Sequence, residues 1–406
     1  MKILVITSIY PGAGMPDSYT PVVHYFVKEW VKIGHDVRVI HSCTYFPWFY
    51  YKIPKWVKNL LQNKVGIPLP EKRLYRDQLY EYEGVRTYRI AMKKVMPMGS
   101  FSTKVLYEGC EKAEYFIERE HFSPEVIISH WLNPQIVIMS HLKTLTGATT
   151  VMVIHGIDSI RKDTFSNWDK LVADVDIWGF RSLKAKNSFE KLFFIPQYCF
   201  VCPSGVPEYF TRNVPCRSGH FTSRFVLVGA LISRKYPDKA IEGIASANVN
   251  KEFIFNIVGD GAMRNRIVTD IEKKGLQGKV HILGKMPRDR IVDILDMSDV
   301  FVLISRGEVF GLVYIEAMAR GCIVIASRDE GMDGIIVNGE NGFLCEAGNS
   351  TELVDIIQNI ARMSDSQRKK ISDKAIATSL KFTDIKAASN YINTIKEYNK
   401  LIREGR

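Results

Sequence analysis

Residues 300–327, VFVLISRGEVFGLVYIEAMARGCIVIAS, decide the fold class. The apolar runs VFVLIS and CIVIAS are typical of buried strands, and LVYIEAMARG between them has the spacing of a helix. A strand, a helix and a second strand in this order form a βαβ unit, whose two strands lie parallel in one sheet. The stretch therefore predicts an α/β protein built on a parallel sheet.

The same alternation extends from this unit toward the N-terminus. RFVLVGALI and FIFNIVGDG are further strand-like runs separated by the helical DKAIEGIASA, and an earlier series opens with MKILVIT and resumes with EVIIS, VMVI and DIWGF. Two consecutive series predict two doubly wound, Rossmann-like domains with a cleft between them. Ligands of such folds bind where strands end, so the loops after the strands are the candidate sites.

The boundary between the two series is a stretch without sustained periodicity. Residues 205–223 collect Pro, Gly, Ser and Thr, as a linker does. We expect a first domain over 1–205, with a basic aromatic insertion at about 45–104, and a second domain over 206–382. The remaining residues, 383–406, are expected to form a helix that packs back on the first domain.

Composition excludes several classes of protein. The 406 residues are 46% apolar and 24% charged, which is ordinary for a globular chain. The seven cysteines are an odd number and predict free thiols in a reducing compartment, with Cys199 and Cys202 as strand residues rather than metal ligands. No apolar run approaches the roughly 20 residues that span a bilayer, and MKILVITSIYPG is a first strand rather than a signal peptide. We expect a cytoplasmic protein.

The net charge of +11 is unevenly distributed. The 50–104 stretch contains 12 Lys and Arg against 4 Asp and Glu, interleaved with aromatic residues such as Trp56 and Tyr75. It is compatible with an anionic membrane surface at the cytoplasmic face, with a phosphorylated substrate, or with a solvated face. The aromatic residues do not lie in a recognisable nucleic-acid module, so no nucleic-acid partner is expected.

The first glycine-rich loop, PGAGMPD, invites comparison with a dinucleotide-binding turn. Gly12 and Gly14 fit, but Asp17 stands at the third glycine position and VRVIHSC supplies no carboxylate for a ribose. We therefore expect a loop whose backbone amides approach a ligand without side-chain interference. An oxidoreductase or epimerase that uses a dinucleotide stays as an alternative, as does a non-catalytic carbohydrate-binding protein.

Two glutamates give the most specific signal. Glu308 and Glu316 are separated by seven residues, and Gly311 precedes a helix whose free amides and positive dipole end favour an anion. Glu316 lies in an apolar helix, where a carboxylate is costly unless a hydroxyl or a cation contacts it. The pattern therefore indicates a binding site rather than a solvated face.

With these residues the chain resembles the retaining nucleotide-sugar glycosyltransferases of the GT-B fold, specifically glycosyltransferase family four. The resemblance covers most of the chain. Its segments, in order, are HW at 130–131, HGID at 155–158, VGALISRKYPDKAIEG, IVGDGAMRNRI, VHILGKMPRDRIVDILDMSDVFVLIS, FGLVYIEAMARG and IVNGENGFLC. It implies an acceptor-side first domain and a second domain that binds the nucleotide sugar.

The resemblance also implies roles for single residues. Glu308 would contact the transferred sugar, Glu316 the ribose hydroxyls, and Lys235 with Arg234 the diphosphate. His155 would face the donor sugar and the acceptor hydroxyl, unless it is a hydrogen-bonded core histidine. The other expected donor-binding residues are Gly12, Gly14, Gly259, Gly284, Lys285, Met286, Phe310, Gly311 and Leu312.

The expected activity is transfer of a hexose-type sugar, with retention, from a nucleotide diphosphate sugar to an oligosaccharide such as a lipid-linked surface polysaccharide intermediate. The nucleotide sugar is a substrate, and no cofactor or metal is expected. Asp174 and Asp176 have the spacing of a metal–diphosphate motif but lie at the entry to a strand, so we expect a structural role. Ala230, Glu330 and Gly334 depart from the residues commoner in the family.

Overall fold

The computed structural model describes residues 1–12, 14–15, 21–54, 57–58, 72–96, 99–157, 160, 167–248 and 252–404. These residues form two compact units. The first consists of Met1–Arg181, Ala185–Pro203 and Ile385–Arg406, and the second of Ser182–Lys184 and Ser204–Asp384. Among the described residues, no helix has the length and apolar content to cross a bilayer.

The first unit contains an eight-stranded sheet in the order β3-β4-β2-β1-β5-β6-β7-β8. The strands are β1 (Lys2–Thr7), β2 (Asp36–Tyr45), β3 (Gln78–Tyr82), β4 (Val85–Lys93), β5 (Val126–His130), β6 (Thr149–Ile154), β7 (Ile177–Phe180) and β8 (Cys199–Val201). Only the β3–β4 pair among them is antiparallel. The predicted α/β class is confirmed for this unit.

Helices cover both faces of this sheet, which is why its strands are almost continuously apolar. In chain order as far as β8, the helices are α1 (Val22–Lys32), α2 (Trp48–Lys52), α3 (Thr103–Arg119), α4 (Gln135–Thr146), α5 (Trp168–Ala173) and α6 (Leu183–Leu192). Ile3 and Val5 belong to one buried cluster with Trp30 of α1, whereas Leu4 and Ile6 pack in a second cluster with residues of α3 and α4. Successive residues of β1 thus enter opposite layers of the core.

The predicted insertion at about 45–104 is shorter than the sequence suggested. β4 lies beside β2 in parallel register, from Arg38 with Arg86 to Tyr45 with Lys93, and is a full member of the sheet. The reason is that the strand buries polar side chains, Thr87 and Arg89 among them. This obscures the apolar alternation by which a strand is normally recognised.

The second unit contains a six-stranded parallel sheet in the order β11-β10-β9-β12-β13-β14. Its strands are β9 (Arg224–Val228), β10 (Ile254–Val258), β11 (Val280–Gly284), β12 (Val300–Leu303), β13 (Ile323–Ser327) and β14 (Phe343–Cys345). The chain order reverses between β9 and β12. The loops that follow these two strands therefore meet at a topological switch point, the usual ligand position in this architecture.

The remaining helices follow the strands of the second sheet. They are α7 (Pro237–Ala247), α8 (Arg264–Lys273), α9 (Ile291–Asp296), α10 (Leu312–Ala319), α11 (Ser350–Arg362), α12 (Asp365–Ser379) and α13 (Asp384–Glu404). All but the first residue of α13 belong to the first unit, where Trp30 Nε1 donates a hydrogen bond to the Ala388 carbonyl at 2.9 Å. Tyr391 packs edge-on against Phe26 and Trp30, with ring centroids 5.1 Å apart in each pair.

Candidate functional site

Lys235 and Glu308 meet at the switch point of the second sheet. Lys235 ends a short 3₁₀ turn in the loop after β9, and Glu308 lies in the loop after β12. Lys235 Nζ forms an ion pair with Glu308 Oε2, which also accepts a hydrogen bond from Ser305 Oγ at 3.2 Å. Arg234 Nη1 lies 4.0 Å from the same oxygen. The two residues to which the family resemblance assigns the sugar and the diphosphate are therefore in direct contact.

The surroundings of Glu308 keep it ionised. Burial opposes ionisation, but the Lys235 ammonium, the Ser305 hydroxyl and the Arg234 guanidinium together lower the pKa of Glu308 below its usual value. Lys235 is itself only 8% exposed. The site therefore holds a fixed carboxylate and a fixed ammonium away from bulk water, where a charge acts more strongly on a ligand than it does at the surface.

Helix α10 begins beside this pair. Gly311 has a φ of +79°, and a Cβ there would lie 2.4 Å from the ring of Tyr314 and 3.1 Å from Cγ of Glu308. Tyr314 is held in place because its hydroxyl donates a hydrogen bond to the Leu303 carbonyl at 2.8 Å. No described side chain caps the first turn of α10, so its amides are suited to an anion next to Lys235.

Glu316 lies one turn into α10 and is 4% exposed. Arg288, from the loop after β11, donates from Nε to Glu316 Oε1 at 2.6 Å. Burial raises the pKa of Glu316, and the Arg288 guanidinium opposes that rise only in part. The sequence indicated that this carboxylate needs a hydroxyl or a cation as a partner, but it did not identify Arg288, because nothing in the spacing links positions 288 and 316.

Glu330 is a site residue that sequence reasoning noted only as a departure from the family. Its Oε2 accepts the backbone N–H of Glu308 at 2.8 Å and pairs with Lys184 Nζ at 2.8 Å. The next residue, Gly331, packs so closely on the loop after β12 that a Cβ would lie 2.6 Å from the Phe310 nitrogen. Glu330 thus fixes the backbone that carries Glu308.

Two predicted glycines serve different purposes. A Cβ on Gly259 would lie 1.9 Å from the Gly229 carbonyl oxygen, so this glycine allows the ends of β9 and β10 to approach each other. Gly259 N–H also donates to the Gly284 carbonyl at 2.8 Å. Gly284, with a φ of +74°, has no heavy atom within 4 Å of its Cβ position and faces open space.

The other predicted donor-binding residues of the second unit lie at the same carboxyl edge of the sheet, in the loops after β9, β11 and β12. Arg234 is exposed and its Nη1 lies 3.3 Å from the Gly307 carbonyl. Lys285 is exposed, Met286 and Leu312 are half-buried, and Phe310 is buried. The second unit therefore brings most of the predicted donor residues to one edge.

In the first unit, His155 follows β6 and contacts the HW pair at the end of β5. His155 Nε2 lies 3.0 Å from Nδ1 of His130, and the ring of Trp131 stacks on His155 with centroids 3.9 Å apart. Burial, reinforced by His130 and Arg181, holds the pKa of His155 well below its usual value. His155 is therefore a neutral imidazole. Asp158, from the same motif, lies outside the described residues.

Gly12 of the first glycine loop packs against two tyrosine rings. A Cβ on Gly12 would meet the rings of Tyr82 at 2.9 Å and Tyr80 at 3.0 Å, and the Tyr80 hydroxyl donates to the Pro11 carbonyl at 3.0 Å. The absence of a side chain at Gly12 therefore leaves room for these two rings. Gly14 has Leu74 as its neighbour at 3.9 Å, an ordinary contact, and Asp17 lies outside the described residues.

Asp176 is engaged by the protein itself. Its Oδ2 accepts the Thr150 N–H at 2.9 Å and pairs with Lys143 Nζ at 2.9 Å. Asp174 accepts a hydrogen bond from Ser140 Oγ at 2.5 Å. These contacts tie β6, β7 and α4 together, which is the structural role expected for the two aspartates.

The cysteines have free thiols. Cys199 lies half-buried in β8 and Cys202 is buried just beyond it. Burial raises the pKa of both thiols, so neither is a ready thiolate. Within the ranges that the structure describes, no three His, Cys, Asp or Glu side chains are grouped as metal ligands.

The known proteins that resemble this chain in sequence include glycosyltransferases. Residues 222–378 match the family described as glycosyl transferases group 1. An uncharacterised glycosyltransferase of Methanocaldococcus jannaschii is 26% identical over 358 residues, which are 86% of this chain and 94% of the relative. An Escherichia coli UDP-Gal:α-D-GlcNAc-diphosphoundecaprenol α-1,3-galactosyltransferase is 31% identical over 154 residues, or 37% of this chain and 38% of that protein.

Solved structures share the fold over nearly the whole chain. Anabaena HepE in complex with UDP superposes with a TM-score of 0.67 at 18% sequence identity, covering 98% of this chain and 100% of HepE. At that identity the likeness concerns the fold. It agrees with the two parallel-sheet units described above.

Proposed function

We propose that the chain, whose residues 222–378 match the group 1 glycosyl transferases, transfers a hexose-type sugar from a nucleotide diphosphate sugar with retention of configuration. The observation that carries the proposal is the buried Lys235–Glu308 pair at the switch point of the second sheet, beside the start of α10. A cation, a carboxylate and free amides in one place suit a sugar attached to a diphosphate.

The donor would lie along the carboxyl edge of the second sheet. The diphosphate would contact Lys235, Arg234 and the first turn of α10, the base would lie on the backbone of 284–286, and Glu316 would accept the ribose hydroxyls. Lys235 can contact Glu308 and the diphosphate at the same time, because an ammonium has three N–H donors and one of them can stay on Glu308. Glu308 would then accept a hydrogen bond from a hydroxyl of the sugar.

The transfer would proceed by departure and attack on the same face of the sugar. The bond between the anomeric carbon and the phosphate oxygen breaks, the acceptor oxygen bonds to that carbon, and the acceptor's hydroxyl proton passes to the leaving phosphate. Negative charge grows on the diphosphate during this step, and Lys235 with the α10 amides is positioned to stabilise it without rearrangement. The neutral His155 would hydrogen-bond the sugar or the acceptor.

We propose an oligosaccharide on a lipid diphosphate carrier as the acceptor. The E. coli relative is named for a diphosphoundecaprenol-linked acceptor, which supports this class. We also place the reaction in the cytoplasm, because seven free thiols suit a reducing compartment.

A thermal-shift screen with UDP, GDP and ADP, followed by turnover with the matching nucleotide sugars, tests the proposal. We expect one diphosphate to raise the melting temperature, and its sugar conjugate to be consumed with release of that diphosphate. NAD and NADP serve as comparison ligands. Stabilisation by a nicotinamide dinucleotide alone would instead favour the oxidoreductase or epimerase alternative, and sugar binding without diphosphate release would favour a carbohydrate-binding protein.

A further inference from the structure

Exposed apolar side chains lie just beyond the ends of two neighbouring strands of the first sheet, β2 and β4. The ends of β2 and β4 are joined by a hydrogen bond from Lys94 N–H to the Tyr45 carbonyl at 2.9 Å. Beyond β2, Trp48 and Phe49 of α2 are 59% and 56% exposed, and beyond β4, Val95 and Met96 are 71% and 64% exposed. We call these four side chains, with the cations around them, the edge patch.

Two cations of the edge patch lie against aromatic rings, one on Trp48 of the patch and one on Tyr45 at the end of β2. Lys52 Nζ is 4.8 Å from the centroid of the Trp48 ring, and Arg73 Cζ is 5.7 Å from that of Tyr45. Lys93, the last residue of β4, is exposed. Asp77, which lies in the same segment as Arg73, forms an ion pair with Lys112 at 2.9 Å.

The combination of cations with exposed apolar side chains favours a lipid surface over a soluble anion as the partner. A soluble anion would be satisfied by the cations and would leave four large apolar side chains in water. The interface of an anionic bilayer accommodates both, since rings and aliphatic tips enter the headgroup region while Lys and Arg meet lipid phosphates. We propose that the edge patch binds the surface of an anionic lipid bilayer. The proposal rests on this surface alone and does not require the proposed transferase activity.

Three lysines, Lys52, Lys55 and Lys58, surround Trp56 in the sequence. Lys58 is turned back onto the protein, where its Nζ donates to the Tyr51 carbonyl at 3.2 Å. Lys55 and Trp56 lie outside the described residues. The cations to test are therefore Lys52, Arg73 and Lys93.

Co-sedimentation of the full chain with vesicles tests the proposal. We expect pelleting with phosphatidylglycerol–phosphatidylcholine vesicles at low salt, weaker pelleting at high salt, and little with phosphatidylcholine alone. Each near-surface cation contributes about fivefold to affinity, so Lys52→Gln, Arg73→Gln and Lys93→Gln together should weaken binding roughly a hundredfold. The control is Lys273→Gln, Lys274→Gln and Lys370→Gln, the same charge change on exposed lysines of the second unit.

A second variant isolates the apolar component. Trp48→Ser with Phe49→Ser should weaken vesicle binding at least tenfold at unchanged charge, while far-UV circular dichroism and the melting temperature stay those of the wild type. The proposal is overturned if the wild type does not pellet with anionic vesicles or pellets equally with neutral ones. Wild-type affinity in the cation variant places binding on another surface, and wild-type affinity in the serine variant shows adsorption by charge alone. Either result overturns it.

Discussion

Glu308, in the loop before α10, and Glu316, one turn into α10, have pKa values that are shifted in opposite directions for a physical reason. Both are buried, but Glu308 has two cations and a hydroxyl around it, and Glu316 has Arg288. The pKa of Glu308 is therefore lowered and that of Glu316 is raised. The Arg288 guanidinium offsets only part of the effect of burial on Glu316, so this carboxyl is suited to accept further hydrogen bonds from hydroxyl groups.

Glu316→Gln should weaken nucleotide binding, and its effect on the stability of the protein should depend on pH. The variant keeps the shape but loses a charged acceptor, so nucleotide affinity should fall by about 1.5–3 kcal/mol, roughly tenfold or more. Since the raised pKa of Glu316 means that its ionisation works against folding, stability is lost as pH rises through that pKa. The melting temperature of the variant relative to wild type should therefore be higher at pH 8 than at pH 5. A relative melting temperature that falls instead as pH rises would contradict this assignment.

Glu330 should act on turnover through Glu308. Glu330→Ala removes the acceptor of the Glu308 N–H. The activation free energy should rise by about 1.5–3 kcal/mol, which lowers kcat tenfold or more, with a smaller effect on KM for the donor. Glu330→Gln keeps an oxygen at the same place and should retain most of the rate. Steady-state kinetics of both variants check this, and equal losses in the two would show that the charge toward Lys184, rather than the hydrogen bond, matters.

At the scale of elements, the sequence predicted those whose apolar periodicity is intact and missed those whose periodicity is broken. The βαβ unit of β12, α10 and β13 was predicted as observed. The hairpin of β3 and β4 was not, because buried Arg89 and Thr87 hide its alternation, and three-residue β14 was read only as part of a glycine turn. Arg288 and the role of Glu330 were missed because they depend on contacts between distant loops, which spacing does not encode.

The two glycines at the ends of β10 and β11 give a matched pair of substitutions. Gly259→Ala forces a Cβ against the Gly229 carbonyl and should reduce the free energy of unfolding by more than about 3 kcal/mol. Gly284→Ala meets open space and should cost only the left-handed conformation, about 1–2 kcal/mol. Urea unfolding of both variants measures the difference. Equal losses would mean that close approach is not what position 259 requires.

The same comparison tests the base site. If the backbone of 284–286 holds the base, Gly284→Ala should remain folded yet lose nucleotide-induced stabilisation in a thermal-shift assay. Undiminished stabilisation by the diphosphate would move the base elsewhere.

At the scale of the whole molecule, each unit presents loops at the carboxyl edge of its own parallel sheet. In the second unit these loops gather charged residues at the β9–β12 switch point, and in the first they hold His155 with His130 and Trp131. In the proposed mechanism, the cations and helix amides of the second unit would stabilise the diphosphate. The two aspartates of the candidate metal motif are bound to Thr150, Lys143 and Ser140.

Activity should therefore persist in excess chelator. Diphosphate release from the donor, assayed with EDTA and then with added magnesium or manganese, should change less than twofold. Loss of activity in EDTA with rescue by either metal would return Asp174 and Asp176 to consideration and refute the Lys235-based account of the leaving group.

In the proposed mechanism, Lys235 stabilises the departing diphosphate next to Glu308. The most direct measurement is the initial rate of diphosphate release at saturating donor for wild type and Lys235→Met, with Lys239→Met as the control from the exposed side of α7. Removal of one preorganised donor to developing negative charge typically lowers turnover about 10²–10³-fold. We predict a loss of that size in Lys235→Met, with a folded protein and wild-type rates in the control. Rates within twofold of wild type in Lys235→Met would contradict the claim.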